Sequence, residues 1–345
     1  MFRNFRLSII VLFLGCVFSV GAQSGKPLMI FSGSSNTELS EKVASYLGIS
    51  LSKTRLGRFN DGEIQIQLED SVRNQDVFVI QSTCNSKDAS INDNIMELFL
   101  LIRTLKRSSS GQITVVMPYY GYARQDRKQK PRVPISASDI AMLIESAGAS
   151  RVVAVDLHCG QIQGFFQQTP VDNLFSISSM VSYMKSVPLE NPVVVSPDAG
   201  GVARAKKFRE ALGDQGISAG LAIFVKQRGE AGVIDAVDLV GEVEGRDVII
   251  VDDMCDTGGT LVSVVNELKK FGAKKVYVCV THPVFSKNAI KLIGDSDITE
   301  MITTDTIPIK GELPSNIKQI SIAPLLAKAM NLIHNNQPIT TLFGY

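Results

Sequence analysis

Tryptophan is absent from the 345 residues, and the 7 Tyr and 16 Phe are scattered. A chain without aromatic platforms is poorly suited to stacking bases of RNA or DNA, so no nucleic-acid partner is expected. Neither charge is in surplus: 35 Lys+Arg stand against 34 Asp+Glu, a net +1. No overall field draws a polyanion or a membrane surface, and any anion must be held by a local cluster. The five cysteines (Cys16, Cys84, Cys159, Cys255 and Cys279) form no CxxC pair and leave one over in any full pairing. That argues against a disulfide framework or a zinc site and for reduced, mostly buried thiols. A GxxxxGK[ST] loop is also missing, which removes the ordinary Walker grip on a nucleotide.

Long apolar runs are missing as well, with one exception. Arg3 and Arg6 precede an apolar stretch from Leu7 to Val20, followed by Gly21-Ala22-Gln23. A basic start, a short apolar core and small residues at its end describe a signal-like targeting segment over 1–22, too short for a comfortable membrane span. The mature chain is expected to hold no membrane span. Location stays open between the cytoplasm and an organelle reached by the secretory route.

What is present suits two cores. Hydrophobic residues make up 45% and charged residues 20%, enough to fill two α/β domains. Short β-branched runs alternate with amphipathic stretches, the signature of βαβ units and a mainly parallel sheet. Strands are expected at Leu28–Ser32, Asp76–Gln81, Gln112–Pro118, Arg151–Leu157, Pro192–Ser196, Gly220–Val225, Asp247–Val251 and Lys275–Thr281. Helices are expected at Glu38–Leu47, Asn92–Lys106, Ser136–Ser146, Val202–Leu212 and Thr260–Phe271. Gly148-Ala149 followed by a strand and His158 is repeated by Gly272-Ala273, a strand and His282, both pairs offset by 124 residues. Duplicated units would produce this, and the join is expected in the polar stretch around 167–173.

The most informative segment runs from Val248 to Thr260. An apolar strand ends at Asp252 and Asp253, and Asp256-Thr257-Gly258-Gly259-Thr260 then leads into a helix. Ligands of open α/β sheets collect at such carboxyl ends of strands. The glycines let successive N–H groups converge, the helix start adds partial positive charge, and the two threonines add hydroxyl donors. A phosphate monoester fits that nest. The aspartates suit sugar hydroxyls, or a Mg2+ ion bound beside them. An acidic turn that merely caps a helix is the plain alternative.

This loop resembles the ribose 5-phosphate site shared by type I phosphoribosyltransferases and ribose-phosphate pyrophosphokinases. Further segments are similar to the second family. Arg58-Phe59-Asn60-Asp61-Gly62-Glu63 resembles its adenine-stacking segment, although Phe59 taken alone reads as a core side chain. Pro118 to Asp126, with Arg124, Gln125 and Asp126, resembles its ATP-gripping stretch. Asp156-Leu157-His158 resembles its Mg-ATP motif, Ser196-Pro197-Asp198-Ala199-Gly200-Gly201 its diphosphate-side loop, and Lys226-Gln227-Arg228 its mobile catalytic loop. A lone His158 would otherwise read as a satisfied core histidine, and Lys226 with Arg228 as an exposed basic pair.

The resemblance implies two tandem phosphoribosyltransferase type I-like (Rossmann-like) domains with mainly parallel sheets. An ATP-side domain would span 27–170 and a ribose 5-phosphate-side domain 171–320, with a segment 321–345 packing back on the first. It implies Mg-dependent transfer of diphosphate from ATP to ribose 5-phosphate, releasing AMP. In that scheme Lys226 and Arg228 are catalytic. Phe59, Asp61, Glu63, Arg124, Gln125 and Asp126 bind ATP. Asp198, Asp252, Asp253, Asp256, Thr257, Gly258, Gly259 and Thr260 bind the sugar phosphate. Asp156, His158 and Asp198 hold Mg2+. Dimers assembling into a hexamer are implied too.

Four departures keep other readings open. Gly229-Glu230-Ala231-Gly232 replaces a more basic stretch, and Gln167-Gln168-Thr169 stands where a carboxylate is expected. Cys84–Ser90 is longer than usual, and the chain ends at Gly344-Tyr345 without a regulatory serine. A non-catalytic regulatory partner of an active homologue is the second reading, and a phosphoribosyltransferase the third.

Overall fold

The computed structural model describes residues 26–228 and 234–343, with 225–228 and 234–237 described through their backbone only. The signal-like segment 1–22, the altered stretch 229–232 and the terminal Gly344-Tyr345 therefore lie outside the described residues. Among the described residues no helix is long and apolar enough to cross a membrane.

The earlier half contains β1 (Leu28–Ser32), α1 (Thr37–Tyr46), β2 (Thr54–Arg58), β3 (Ile64–Leu68), β4 (Asp76–Ile80), α2 (Ile91–Arg107), β5 (Gln112–Met117), α3 (Ser136–Ala147), β6 (Arg151–Val155) and β7 (Val171–Leu174). Its five-stranded sheet has the order β1-β4-β5-β6-β7 and is parallel throughout. Strands β2 and β3 form a separate antiparallel hairpin. The later half contains α4 (Ile177–Met184), β8 (Val193–Ser196), α5 (Val202–Asp214), β9 (Gly220–Arg228), β10 (Ile234–Val240), β11 (Asp247–Cys255), α6 (Gly259–Lys270), β12 (Lys275–Pro283), α7 (Ala289–Gly294), β13 (Glu300–Thr304), β14 (Ile317–Ile320) and α8 (Ala323–His334). Its seven strands have the order β10-β9-β8-β11-β12-β13-β14, and β9–β10 is the one antiparallel pair. The fold is thus mixed α/β with mainly parallel sheets, as the alternating pattern predicts.

Parallel strands covered on both faces should be continuously apolar, and the central runs Val193–Val195, Val248–Val251 and Val276–Val280 are. Val193 and Val195 of β8 face α6 together with Val248, Ile250, Val276 and Val278. Val194, Ile249, Val251 and Cys279 face the opposite way, toward α4 and α5. This two-sided burial explains why cysteines are acceptable inside: Cys84, Cys255 and Cys279 are free and buried, and Cys159 is half-buried. Burial pushes the Cys84 and Cys255 thiols up to about 12, which makes them inert.

One detail modifies the expected layout: Val171–Leu174, overlapping the expected join and past the 170/171 boundary, pairs with β6 in the first sheet. Helix α8 returns to that sheet from the far end of the chain. Its Leu326, Ala329 and Met330 pack with Leu39 and Val43 of α1 and with Ile30 and Phe78, and His334 Nδ1 meets Asp76 Oδ2 at 2.6 Å. Because Leu326 is fully buried there, Leu326→Ala should destabilise the fold by about 2–5 kcal/mol in denaturant unfolding. A loss below about 1 kcal/mol would mean that α8 contributes little to this core.

Candidate active site

In the later sheet, chain order runs outward in both directions from the β8–β11 pair: β8 leads to β9, and β11 leads to β12. At such a switch point the loops after the two central strands diverge to opposite faces and leave a crevice at their carboxyl ends. The crevice here has a volume of about 650 Å³ and is lined from β8 by Asp198, Gly200 and Gly201. From β11 it is lined by Asp252, Asp253, Asp256, Thr257, Gly258 and Thr260. Arg124, Asp126 and His158 close it from the first sheet.

Strand β11 runs four residues past the expected end at Val251, so both aspartates belong to the strand and not to the turn. Asp253 is buried and Asp252 half-buried. Arg204, in the first turn of α5, forks across the pair: Nη1 lies 3.1 Å from Asp252 Oδ1 and Nη2 3.3 Å from Asp253 Oδ1. His158 Nδ1 lies 2.7 Å from Asp253 Oδ2. Burial and the adjacent Asp253 charge raise the Asp252 carboxyl well above its usual range. Burial works the same way on Asp253, but the His158 hydrogen bond and the Arg204 guanidinium outweigh it and hold that carboxyl below its usual range. His158 is raised in turn, chiefly by its hydrogen bond to Asp253.

The turn that follows is shaped as its glycines require. Gly258 has φ 77 and precedes α6 with no side chain capping the helix, so the first N–H groups of α6 are left for a ligand. Gly259 opens the helix itself. Asp256 is held at both oxygens, Oδ1 accepting from Ser286 Oγ and Oδ2 from Arg124 Nη1 at 2.7 Å. Burial opposes its charge, but these two partners win and lower its carboxyl.

Not every residue assigned from the sequence reaches this crevice. Asp156 does not: it is buried, and its Oδ2 accepts hydrogen bonds from Ser176 N (2.9 Å), Ser176 Oγ (2.6 Å) and Thr281 Oγ1 (2.8 Å). A carboxylate so engaged joins the two halves and is not offered to a metal. Gln125 faces α3, where Ser136 Oγ donates to its Oε1 and Ala137 N to its carbonyl at 3.2 Å. Phe59, Asp61 and Glu63 sit at the tip of the β2–β3 hairpin, away from the crevice walls. Glu63 N donates to Asp61 Oδ1 at 3.1 Å. Phe59 is 51% exposed, so it is no core residue. Lys226 and Arg228 occupy the end of β9, in register with Val237 and Ile234, and their side chains lie outside the described residues. The Gln167–Thr169 stretch is pinned to Glu145 through three backbone N–H groups (3.1, 2.6 and 2.7 Å) and does not line the crevice.

Asp198 accepts from Gly201 N at 2.9 Å through Oδ1, leaving Oδ2 without a protein donor among the described residues. No three His, Cys, Asp or Glu side chains gather as a metal cage among them. Mg2+ does not need one: it takes one or two carboxylates and completes its shell with water and phosphate oxygens. Asp198 and the Asp252–Asp253 pair, which lacks full charge compensation, fit that donor set.

Arg204 and Ser286 were not singled out from the sequence. The usable signal for Arg204 was its place just after the second carboxylate-glycine turn, facing the first.

Comparison with known proteins adds the following. A family model for the N-terminal domain of ribose phosphate pyrophosphokinase matches residues 28–148, and one for the phosphoribosyl synthetase-associated domain matches 228–344. The chain is 48% identical over 314 residues to a ribose-phosphate pyrophosphokinase of Wolinella succinogenes, covering 91% of this chain and 98% of the relative. It is 46% identical over 320 residues to that of Vibrio cholerae, covering 92% and 99%. Among solved structures, the phosphoribosylpyrophosphate synthetase of Mycobacterium smegmatis superposes with a TM-score of 0.82 at 40% identity, over 90% of this chain and 100% of that one.

The left-handed Gly258 provides a check on the turn. A Cβ there would meet Ile293 Cγ1 at 3.4 Å, an ordinary contact, so the cost of Gly258→Ala is backbone strain. A loss of about 1–2 kcal/mol in unfolding free energy is expected; no loss would mean that the turn does not need this conformation.

Proposed function

This chain belongs to the ribose-phosphate pyrophosphokinase family and is a diphosphate-transferring enzyme, and on that footing we propose that its switch-point crevice is where ATP and ribose 5-phosphate react. The observation that carries the reading is the meeting of two sets of groups. The Asp-Asp strand end and glycine turn of the later sheet face Arg124 and His158 of the earlier one across one cavity.

The 5-phosphate sits against the N–H groups of the 256–260 turn, with the Thr257 and Thr260 hydroxyls as further donors. Asp252 and Asp253 accept from the ribose hydroxyls, oriented by Arg204. That leaves the C1 hydroxyl directed at the β-phosphorus of ATP. Its oxygen forms the new bond to phosphorus and gives up its proton to water as the bond to the α-phosphate oxygen breaks, and AMP departs with that oxygen. Such a transfer depends on in-line placement and on neutralising phosphoryl charge. Arg124 supplies a guanidinium fork for the triphosphate, with Asp126 beside it. Lys226 and Arg228 close over the transferred group from β9. Asp198 and His158 would hold Mg2+; Asp156 would not, because its carboxylate is engaged in the seam. When bound, Mg2+ would neutralise charge on the phosphate oxygens.

The two-domain division belongs to the same proposal, with the earlier sheet on the ATP side and the later one on the sugar side. The exposed Phe59, with Asp61 and Glu63, suits a hairpin that reaches the adenine in a neighbouring copy, in keeping with assembly into dimers and a hexamer. Residues 1–22 are proposed as a targeting segment.

Purified chain incubated with ATP and Mg2+ should release AMP only when ribose 5-phosphate is added. AMP formation independent of the sugar, or none at all, would overturn the reading. Asp252→Asn should raise KM for ribose 5-phosphate by about ten- to a hundredfold, the cost of one charged hydrogen bond, with a smaller effect on ATP. The reverse pattern would move Asp252 to the nucleotide.

A further inference from the structure

His282 mirrors His158 in the repeat, yet it is 2% exposed and outside the crevice. It is the penultimate residue of β12, one strand over from Asp252 and Asp253, and is in register with Met254. Its Nε2 lies 3.1 Å from the carbonyl oxygen of Asp156, which can only accept, so Nε2 carries the proton. Its Nδ1 lies 3.0 Å from Thr306 Oγ1, and the Tyr119 ring packs against it edge-on at 5.1 Å between centroids. The imidazole is therefore fixed on three sides.

The residue it grips is unusual. Asp156 has φ 43, a left-handed conformation that is strained for a residue other than glycine and persists only where surroundings enforce it. The later half does the enforcing. Thr281 donates to the Asp156 carboxylate and His282 to its carbonyl. The bend then redirects the chain: Leu157 N is tied to Asn173 Oδ1 at 3.0 Å, and His158 emerges to meet Asp253 on β11. A closed circuit results, from β11 across to β12, through His282 to Asp156, and through His158 back to β11.

We propose that His282 is a positioning residue: from β12 it holds the bend at Asp156 and so sets where the His158 imidazole meets Asp253. This rests on the reading of the crevice as the reaction site. A role as mere cement between the sheets is separable, because other contacts already join them. Asn36 Nδ2 donates to Asp305 O at 2.8 Å, and Ser82 Oγ to Thr306 O at 2.6 Å. Cement would act whether or not His158 is present.

A double-mutant cycle tests this in the full chain. His282→Ala should lower kcat at least about tenfold, with KM less affected, since small misplacements act on the reacting geometry. In a His158→Ala background the same substitution should cost little further. His282→Gln, whose amide nitrogen can reach the Asp156 carbonyl, should recover part of the loss, and it stands in for the alanine variant in the cycle if that variant does not fold. Equal losses with and without His158, or no rescue by glutamine, overturn the positioning role. Wild-type AMP release tests the crevice reading by itself. If that reading fails, the cycle is run on ATP and ribose 5-phosphate binding measured by calorimetry, where additive losses again overturn the role of His282.

Discussion

Two carboxylates at the end of one buried strand set the terms for the rest of this molecule. Asp252 and Asp253 follow directly on the apolar run of β11, where adjacent negative charges are costly unless cations reach them. Neither of their partners comes from β11. Arg204 arrives from α5 in the same half, and His158 from the first sheet. The crevice therefore exists in its observed form only when α5 is seated on β8 and the two sheets are docked. The charge requirement also explains why the site faces inward to the seam, where a low dielectric strengthens each of these contacts.

The seam is correspondingly polar and specific. Asp156 Oδ2 accepts from both Ser176 and Thr281, and the Asp156 carbonyl accepts from His282. Apart from α8, which packs on the first sheet, the buried apolar cluster between the halves is small, formed by Cys84, Tyr119 and Ile307. Hydrogen bonds of fixed direction define one relative placement of the sheets far more narrowly than apolar contact would. An enzyme that must hold two substrates in line benefits from that restriction.

The Arg124–Asp256 ion pair joins the two halves directly across the crevice. A residue assigned to the nucleotide and one assigned to the sugar phosphate are already in contact across the crevice. Ligands entering there meet groups that are partly paired with one another, and much of the cavity's charge is balanced before they arrive.

The residue sequence by itself determined the α/β class, the apolar strand that leads into Asp252 and Asp253, the glycine turn beyond it and the repeat that puts glycines at the ends of α3 and α6. These are local properties, set by apolar runs and by the backbone freedom of glycine. It did not reveal the β2–β3 hairpin, although Ile64-Gln65-Ile66-Gln67-Leu68 alternates cleanly, nor β7, β13 or α8, whose cores lie far away in the chain. Tertiary structure alone decided which charged residues share a cavity. Asp156 and His158 are two positions apart, yet a left-handed bend sends one into the seam and the other into the crevice. His158 and His282 occupy matching places in the repeat, yet one faces the crevice and the other a buried carbonyl. Such choices depend on what the opposite sheet presents, and no local pattern carries that information.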